Sequence, residues 1–249
     1  MDAASRIIIA LDFENFATAM HLVEQLGDSA KFYKVGLQLL TAEGPSVVQA
    51  LITAGKKVFL DLKLFEIPNS VAGAVRAAGQ LGVRMVTVHA MAGSTVLRAA
   101  VEAARPFPHL KILGLTVISS MREADLYEVG IQTSITEQVI RLAQLATAAG
   151  CQGLVTSPQE VALLRRILPP EILLLTPGIQ LPGHLKNDQA RICTPEQALD
   201  AGASHLVIGR SITGSNNPAA TFASVCEQLL AASRKRKAKW FLNGTEADR

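Results

Sequence analysis

The sequence predicts an α/β protein, because eight short apolar segments recur along its 249 residues and each is followed by a stretch with helical periodicity. Such alternation is typical of parallel βα units, and eight units in about 250 residues suit a single closed (β/α)8 TIM barrel. A doubly wound open sheet is the structural alternative. No G-x-G-x-x-G motif follows the first segment, which counts against a dinucleotide-binding form of that alternative.

The predicted elements alternate along the whole chain. The strand segments are rich in Val, Ile and Leu, and they lie at residues 6–12, 31–36, 58–63, 84–89, 110–118, 153–156, 171–176 and 204–209. Helical patterns follow at about 16–26, from 37 to 54, at 71–81, from 94, at 135–149 and 158–167, from 194, and at 219–233. A long loop separates the fifth strand from its helix, and a second one covers 177–191.

The composition indicates one domain. No linker rich in Pro, Gly or Ser divides the chain, so we expect residues 1–233 to form the barrel and 234–249 a basic and polar tail. Much of the formal net charge of +3 lies in the run R-K-R-K-A-K at 234–239, which leaves the barrel close to neutral. A solvated helix end is favoured over a tail that binds nucleic acid or a membrane. We therefore expect neither of those partners.

The cysteines and the N-terminus favour a soluble, cytoplasmic protein. Cys151, Cys193 and Cys226 are widely spaced and match neither a disulfide framework nor a zinc motif, which indicates a reducing compartment. Residues 1–6 lack the features of a signal peptide, and the apolar run 7–11 is too short to span a bilayer.

Polar residues collect at the C-terminal ends of the predicted strands, where (β/α)8 enzymes carry their chemistry. They are Asp12, Lys34, Asp61, Lys63, His89, Ser119, Ser120, Thr176, Gly209 and Arg210. A capping or otherwise satisfied polar residue is the simpler interpretation of any one of them, and for His89 or Thr176 alone we favour it. The convergence of so many strand ends on one rim favours a functional site.

The third strand carries the strongest signal, in K-K-V-F-L-D-L-K-L-F-E-I-P-N-S. Side chains alternate faces on a strand, so Asp61 and Lys63 share one face, as Phe32 shares its face with Lys34 on the second strand. If those faces point into the barrel, Asp61, Lys63, Lys34 and Asp12 meet on neighbouring strands. A buried structural ion network is the alternative to a catalytic site, because buried charges require partners in either case.

The eighth strand ends in V-I-G-R-S-I-T, which predicts an anion site. Gly209 permits close backbone approach, Arg210 offers a planar bidentate donor, and the amides of a helix start lie just beyond. Barrels often hold a phosphate at the loops that follow strands seven and eight.

Together these motifs resemble orotidine 5'-monophosphate decarboxylase of the bacterial type, over about residues 6–230. The resemblance rests on D-x-K-x-x-[acid]-I-P-N at 61–69, L-D at 11–12, Y-K-V-G at 33–36 and V-I-G-R-S-I-T at 207–213. Weaker marks are S-S-M at 119–121, T-P-G-I at 176–179, and D-Q at 188–189 with Arg191. The ordered set is specific, whereas any single motif is not.

The resemblance implies a homodimer of barrels that converts orotidine 5'-monophosphate to UMP and carbon dioxide without metal or cofactor. It implies that Lys63 protonates C6 of the pyrimidine and that Asp61 lies against the departing carboxylate. Lys34 would bind Asp61 and the ribose, which Asp12 would also contact. Glu66 would reach the active site of the partner subunit.

The same resemblance implies further substrate-binding positions at the pyrimidine, the ribose and the phosphate. They are Ile67, Pro68, Asn69, Ser70, Ser119, Ser120, Pro177, Gln180, Gln189, Gly209 and Arg210. Three of these functional positions depart from the family pattern, since Glu66 replaces Asp, Gln180 replaces Arg and Ser119 replaces Thr. The extra methylene of Glu66 moves its carboxylate by about 1 Å, a displacement that can lower a rate about a hundredfold.

Two other functions stay open at this point. One is a sugar-phosphate decarboxylase or aldolase of the same suprafamily, which uses magnesium and carries a metal-binding Glu on the second strand, where this chain has Lys34. The other is a nucleotide-binding barrel whose catalysis is weakened by Glu66 and Gln180.

Overall fold

Eight parallel strands close into one barrel in the computed structural model, which describes residues 3–181 and 192–244, with side chains described to residue 234. The first strand pairs in parallel with both the second and the eighth, and this pairing closes the sheet. The strands are β1 (Ile7–Ala10), β2 (Phe32–Gly36), β3 (Lys57–Leu64), β4 (Met85–His89), β5 (Lys111–Leu115), β6 (Gly153–Val155), β7 (Leu173–Thr176) and β8 (His205–Ile208). The predicted (β/α)8 barrel is confirmed.

Helices follow the strands, as predicted. They are α1 (Phe16–Leu26), α2 (Leu37–Glu43), α3 (Ser46–Thr53), α4 (Pro68–Leu81), α5 (Gly93–Ala104), α6 (Glu123–Glu128), α7 (Ile135–Ala148), α8 (Pro158–Ile167), α9 (Pro195–Asp200), α10 (Arg210–Thr213) and α11 (Pro218–Gly244). Several start at side chains that cap the first turn: the Asn15 carboxamide accepts the Thr18 N–H, and Ser134 and Glu137 form a capping box.

Three elements differ from the sequence expectation. The single helix expected from 37 to 54 is divided into α2 and α3, because Gly44 has φ 66° and is followed by Pro45. The long loop after β5 contains the short helix α6. The last helix continues to Gly244 instead of ending at 233. Residues 245–249 lie outside the described residues, and the division of the chain at 233/234 stays a prediction.

The core has two layers, and the strand residues alternate between them. Phe59 and Ala10 belong to a cluster that fills the barrel interior, whereas Leu60 and Tyr33 belong to the cluster between strands and helices. The alternation therefore points the face of Phe32 and Lys34 into the barrel, which is the condition under which the four charged residues were expected to meet. No helix in the described ranges is both long and apolar enough to cross a bilayer.

Candidate active site

A cleft of about 510 Å³ opens at the C-terminal ends of the strands. The predicted site residues that line it are Asp12, Lys34, Asp61, Lys63, Ser119, Pro177, Gly209 and Arg210. Apolar side chains of the interior cluster, among them Phe59, Leu115 and Val155, also line the cleft. Its volume suits a ligand of nucleotide size, and its mixed lining is typical of a small-molecule site.

Four charges alternate in sign along the cleft and form what we call the charge row: Asp12, Lys34, Asp61 and Lys63. Lys34 Nζ lies 2.8 Å from Asp12 Oδ1 and 3.7 Å from Asp61 Oδ2, while Lys63 Nζ lies 2.9 Å from Asp61 Oδ2. The side chains of Lys34 and Asp61 are each 11% exposed, and each has two neighbours of opposite sign. These contacts offset the desolvation of the buried charges. The two ends of the row, Asp12 and Lys63, are more exposed, at 55% and 32%.

Lys63 reaches this position through a bulge in β3 and not through a regular strand. The pairing of β3 with β4 shifts between Leu60 and Leu64, and Lys63 has φ 51°, the only positive φ of a non-glycine residue in the described ranges. Left-handed backbone at such a residue costs about 1–2 kcal/mol, and it persists where the surrounding structure fixes it. Simple alternation explains the direction of Asp61, but it does not describe the backbone at Lys63.

Sequence reasoning missed two residues that shape the charge row. The Thr87 hydroxyl accepts the Lys63 backbone N–H at 2.8 Å and donates to Asp61 Oδ1 at 3.0 Å. At Gly36, an added Cβ would lie 3.1 Å from Lys34 Nζ, so this glycine leaves room for the ammonium. A signal for Thr87 was present, because it alternates with Met85 and therefore faces the barrel interior.

His89 behaves as the simpler interpretation predicts, whereas Thr176 is not a satisfied polar residue within the described part of the chain. Nδ1 of His89 accepts the Met91 N–H at 3.3 Å, and its ring stacks on Phe65 at 5.5 Å between centroids. Burial, and secondly the charge of Lys63, lower the pKa of His89, so that the imidazole is neutral at neutral pH. The Thr176 hydroxyl is buried without a hydrogen-bond partner among the described residues.

The segment that follows β3 lies outside the cleft of its own chain. Glu66 is exposed, and its Oε1 accepts the Ile67 N–H at 2.8 Å. Phe65 and Ile67 are 62% and 61% exposed, although both are large and apolar. Among the other predicted binding residues, Pro68 is half-buried, whereas Asn69, Ser70 and Ser120 are exposed, and none of the four lines the cleft.

The predicted phosphate loop is described in part. Pro177, Gly178 and Ile179 line the cleft, whereas Gln180 is buried and its N–H donates to the Cys193 carbonyl at 2.9 Å. Gln189 lies outside the described residues. Arg210 is exposed at the first position of α10 and lines the cleft. In the described ranges, no group of three or more His, Cys, Asp or Glu side chains is placed to bind a metal ion.

Known proteins resemble this chain over most of its length. The family profile described as "Orotidine 5'-phosphate decarboxylase / HUMPS family" matches residues 5–225. A protein of Moorella thermoacetica named orotidine 5'-phosphate decarboxylase is 43% identical over 236 residues, which cover 92% of this chain and 94% of that protein. A protein of the same name from Actinobacillus succinogenes is 45% identical over 227 residues, with 90% and 98% covered. The crystal structure of orotidine 5'-phosphate decarboxylase from Lactobacillus acidophilus has a TM-score of 0.80 at 32% identity, with 89% and 97% covered.

Proposed function

The chain belongs to the orotidine 5'-phosphate decarboxylase / HUMPS family, and we propose that it converts orotidine 5'-monophosphate to UMP and carbon dioxide, a step of pyrimidine nucleotide biosynthesis. The charge row carries the proposal, because it holds an ammonium group, Lys63, at the cleft and fixes it 2.9 Å from a buried carboxylate. A positioned cation of this kind suits a reaction whose transition state gains negative charge at carbon.

Lys63 is the proposed acid. When the bond between C6 and the carboxyl carbon breaks, the electron pair stays on C6, where the pyrimidine stabilises it poorly by resonance. The Lys63 ammonium would stabilise this developing charge and then transfer a proton to C6, which gives UMP, while the neutral amine regains a proton from solvent. Its 32% exposure, against 11% for Lys34, supports Lys63 as the ammonium that meets the ligand.

Asp61 and Lys34 would prepare the site for this step. Asp61 holds Lys63 in place, and a substrate carboxylate next to it would meet a like charge that is relieved as neutral carbon dioxide forms. Lys34 pairs with both Asp61 and Asp12, and Lys34 and Asp12 are the proposed partners of the ribose hydroxyls.

The phosphate would bind at the part of the cleft formed by the loops after β7 and β8. Arg210 supplies a planar guanidinium to this lining, which also includes Gly209, Pro177 and Gly178. Attraction between the phosphate and these groups gives binding energy remote from the reacting carbon, and this energy can serve to orient the pyrimidine. Ser119, which is half-buried in the lining, is the proposed hydroxyl contact for the base.

We also propose a homodimer in which Glu66 enters the cleft of the partner subunit. Glu66 is exposed between Phe65 and Ile67, two large apolar side chains that are more than half exposed and lie outside their own cleft. Burial of such a patch against a second copy would remove apolar surface from water, and a two-fold interface would place both Glu66 carboxylates equivalently.

Subunit mixing tests the shared site. Lys63→Ala and Glu66→Ala are each expected to be nearly inactive alone. After unfolding and refolding together, half of the dimers are mixed and each has one intact site, so about a quarter of the parent activity returns. A mixture as inactive as its components would refute the sharing of Glu66, and a monomer in analytical ultracentrifugation would refute the dimer.

The magnesium-dependent alternative is disfavoured by Lys34. Its ammonium lies between Asp12 and Asp61, where a divalent cation bridging the two carboxylates would meet a like charge. The similar proteins named above also carry the decarboxylase name. An assay with and without chelator separates the alternatives, because activity lost on chelation would contradict the proposed reaction.

A cytoplasmic location accompanies the proposal. None of the three cysteines, all within the described ranges, forms a disulfide, and Cys151 is buried, as suits a reducing compartment. No nucleic acid or membrane partner is proposed, and the ligand is the nucleotide.

A direct turnover assay tests the proposed function. Purified protein is incubated with orotidine 5'-monophosphate, and both UMP and released carbon dioxide are measured. We expect equal amounts of the two products. Tight UMP binding without turnover would instead indicate a nucleotide-binding barrel in which Glu66 and Gln180 have weakened catalysis.

A further inference from the structure

We propose that Thr87 is a positioning residue for the decarboxylation, because its hydroxyl holds the β3 bulge that sets Asp61 and Lys63 against each other. The proposal rests on the proposed function for its effect on rate, whereas the geometry itself is independent of the reaction. Thr87 lies in the middle of β4 and is fully buried.

The Thr87 hydroxyl makes two hydrogen bonds to β3, and their directions follow from the groups involved. The Lys63 backbone N–H can only donate, at 2.8 Å, and the Asp61 carboxylate can only accept, at 3.0 Å to Oδ1. A hydroxyl has one proton to donate and lone pairs to accept with, so it satisfies both groups at once. A valine of the same shape would satisfy neither.

The bulge explains why this hydroxyl is needed. Leu60 pairs with Val86 and Leu64 with Val88, so three residues of β3 lie opposite the single residue Thr87. The regular ladder therefore does not continue through Lys63, whose backbone has φ 51°. The side chain of Thr87 accepts the N–H at this break in the ladder. An unfavourable backbone conformation persists when its surroundings fix it, and here Thr87 is the group that does so.

The same hydroxyl sets the rotation of the Asp61 carboxylate. With Oδ1 bound to Thr87, Oδ2 is directed between Lys63, at 2.9 Å, and Lys34, at 3.7 Å. Loss of the hydroxyl would free the carboxylate to rotate and the Lys63 backbone to relax. The ammonium would then move relative to the reacting carbon, and a displacement of about 1 Å can lower a rate about a hundredfold.

Three variants test the assignment. Thr87→Val removes both hydrogen bonds with little change of shape, and Thr87→Ser keeps the hydroxyl. The matched control is Thr116→Val, because Thr116 is also fully buried and its hydroxyl donates to the Val155 carbonyl at 3.2 Å without contact to the charge row. Turnover of orotidine 5'-monophosphate, UMP affinity and amide hydrogen exchange of segment 61–64 are measured for each.

Thr87→Val is expected to lower kcat about 10- to 100-fold while UMP affinity stays within about threefold, because the phosphate contacts lie elsewhere. Thr87→Ser and Thr116→Val should both keep kcat within about threefold of the parent. Exchange of segment 61–64 should be at least about tenfold faster in Thr87→Val and unchanged in Thr87→Ser, since a lost hydrogen bond exposes the amide.

Several results would overturn the role of Thr87: kcat of Thr87→Val within threefold of the parent, an equal loss in Thr116→Val, or no rescue by serine. If Thr87→Val does not fold, Thr87→Ala carries the same expectation. A parent protein without turnover would refute the proposed function alone, because hydrogen exchange still decides whether Thr87 holds the bulge. Unchanged amide hydrogen exchange of segment 61–64 in Thr87→Val would refute the role of Thr87 in holding the bulge, whether or not the parent protein turns over the substrate.

Discussion

Replacement of Lys34 by methionine tests whether the charge row is held together as its geometry indicates. Methionine keeps the apolar stem of the side chain but removes the ammonium that lies 2.8 Å from Asp12 Oδ1 and 3.7 Å from Asp61 Oδ2. At an effective dielectric constant of about 20, the longer contact alone corresponds to an attraction on the order of 4 kcal/mol, part of which offsets desolvation. Asp61 is then left buried with one cationic neighbour.

Removal of one partner from a buried pair lowers the free energy of unfolding by about 3–5 kcal/mol. Because Asp12 is 55% exposed and can be hydrated, we expect the lower end for Lys34→Met, about 3 kcal/mol. In a domain of this size the loss corresponds to a fall in Tm of about 6–12 °C, which calorimetry or circular dichroism can measure.

A double-mutant cycle separates the ion pair from general damage. Asp61→Asn added to Lys34→Met removes the buried carboxylate charge that has lost one of its two cationic partners, so the double variant should regain at least about 1 kcal/mol. The control is the exposed pair of Arg105 and Glu102, 3.2 Å apart, where Arg105→Met should change stability by less than about 1 kcal/mol. Additive losses at Lys34 and Asp61 would refute the coupling that the distances indicate.

Three further predictions concern other parts of the molecule. Glu66→Asp should turn over orotidine 5'-monophosphate at an equal or higher kcat, because it restores the shorter acid of the family pattern; a large fall would show that this chain is adapted to glutamate. Arg210→Ala should weaken UMP binding about 10- to 100-fold in calorimetric titration, since it removes a charge-assisted contact, whereas Arg105→Ala, at an exposed arginine outside the cleft, should not. Burial, with the charges of Arg6, Lys111 and Lys57, lowers the pKa of His205 from 6.5 to about 4, so the unfolded chain binds a proton there before the folded one does. His205 therefore leaves the free energy of unfolding unaffected above about pH 6.5 and lowers it by up to about 3 kcal/mol as the pH falls to 4. His205→Gln should flatten this part of the curve of unfolding free energy against pH. An unchanged curve would contradict the lowered pKa of His205.

The alternation of strand residues predicted most of the charge row. Lys34 follows Phe32 on the inward face of a regular strand, and Asp61 follows Phe59 in the same way. Lys63 lies in a bulge, its backbone N–H contacts the Thr87 hydroxyl on β4, and no local pattern in β3 reports such a tertiary contact. The charge row was therefore predictable as a set of residues, but the backbone that presents Lys63 was not.

Two predicted helix boundaries were wrong, each for a different reason. The division between α2 and α3 was marked by Gly44 and Pro45, a local signal that the broad helical pattern obscured. The predicted end of α11 at 233 relied on the start of a basic run. Arg and Lys are good helix formers, however, and no Gly or Pro follows until Gly244, so local propensity permits the longer helix.

The proposed partner contacts could not be derived from one chain. Glu66 and Ile67 are exposed here, and their proposed placement in a shared site requires an interface that strand and helix patterns do not encode. The exposed apolar side chains of Phe65 and Ile67 are the physical feature that favours such an interface.

The most direct test of the central claim is turnover of orotidine 5'-monophosphate by Lys63→Ala, measured together with UMP affinity. Lys63 is the ammonium that we assign to C6, and the substitution leaves Arg210, the proposed phosphate contact, intact. We predict that kcat falls at least about a thousandfold while UMP affinity changes less than about tenfold, because the variant loses the proton donor and its charge but keeps the remote binding energy. A variant that decarboxylates as fast as the parent would contradict the assignment of Lys63.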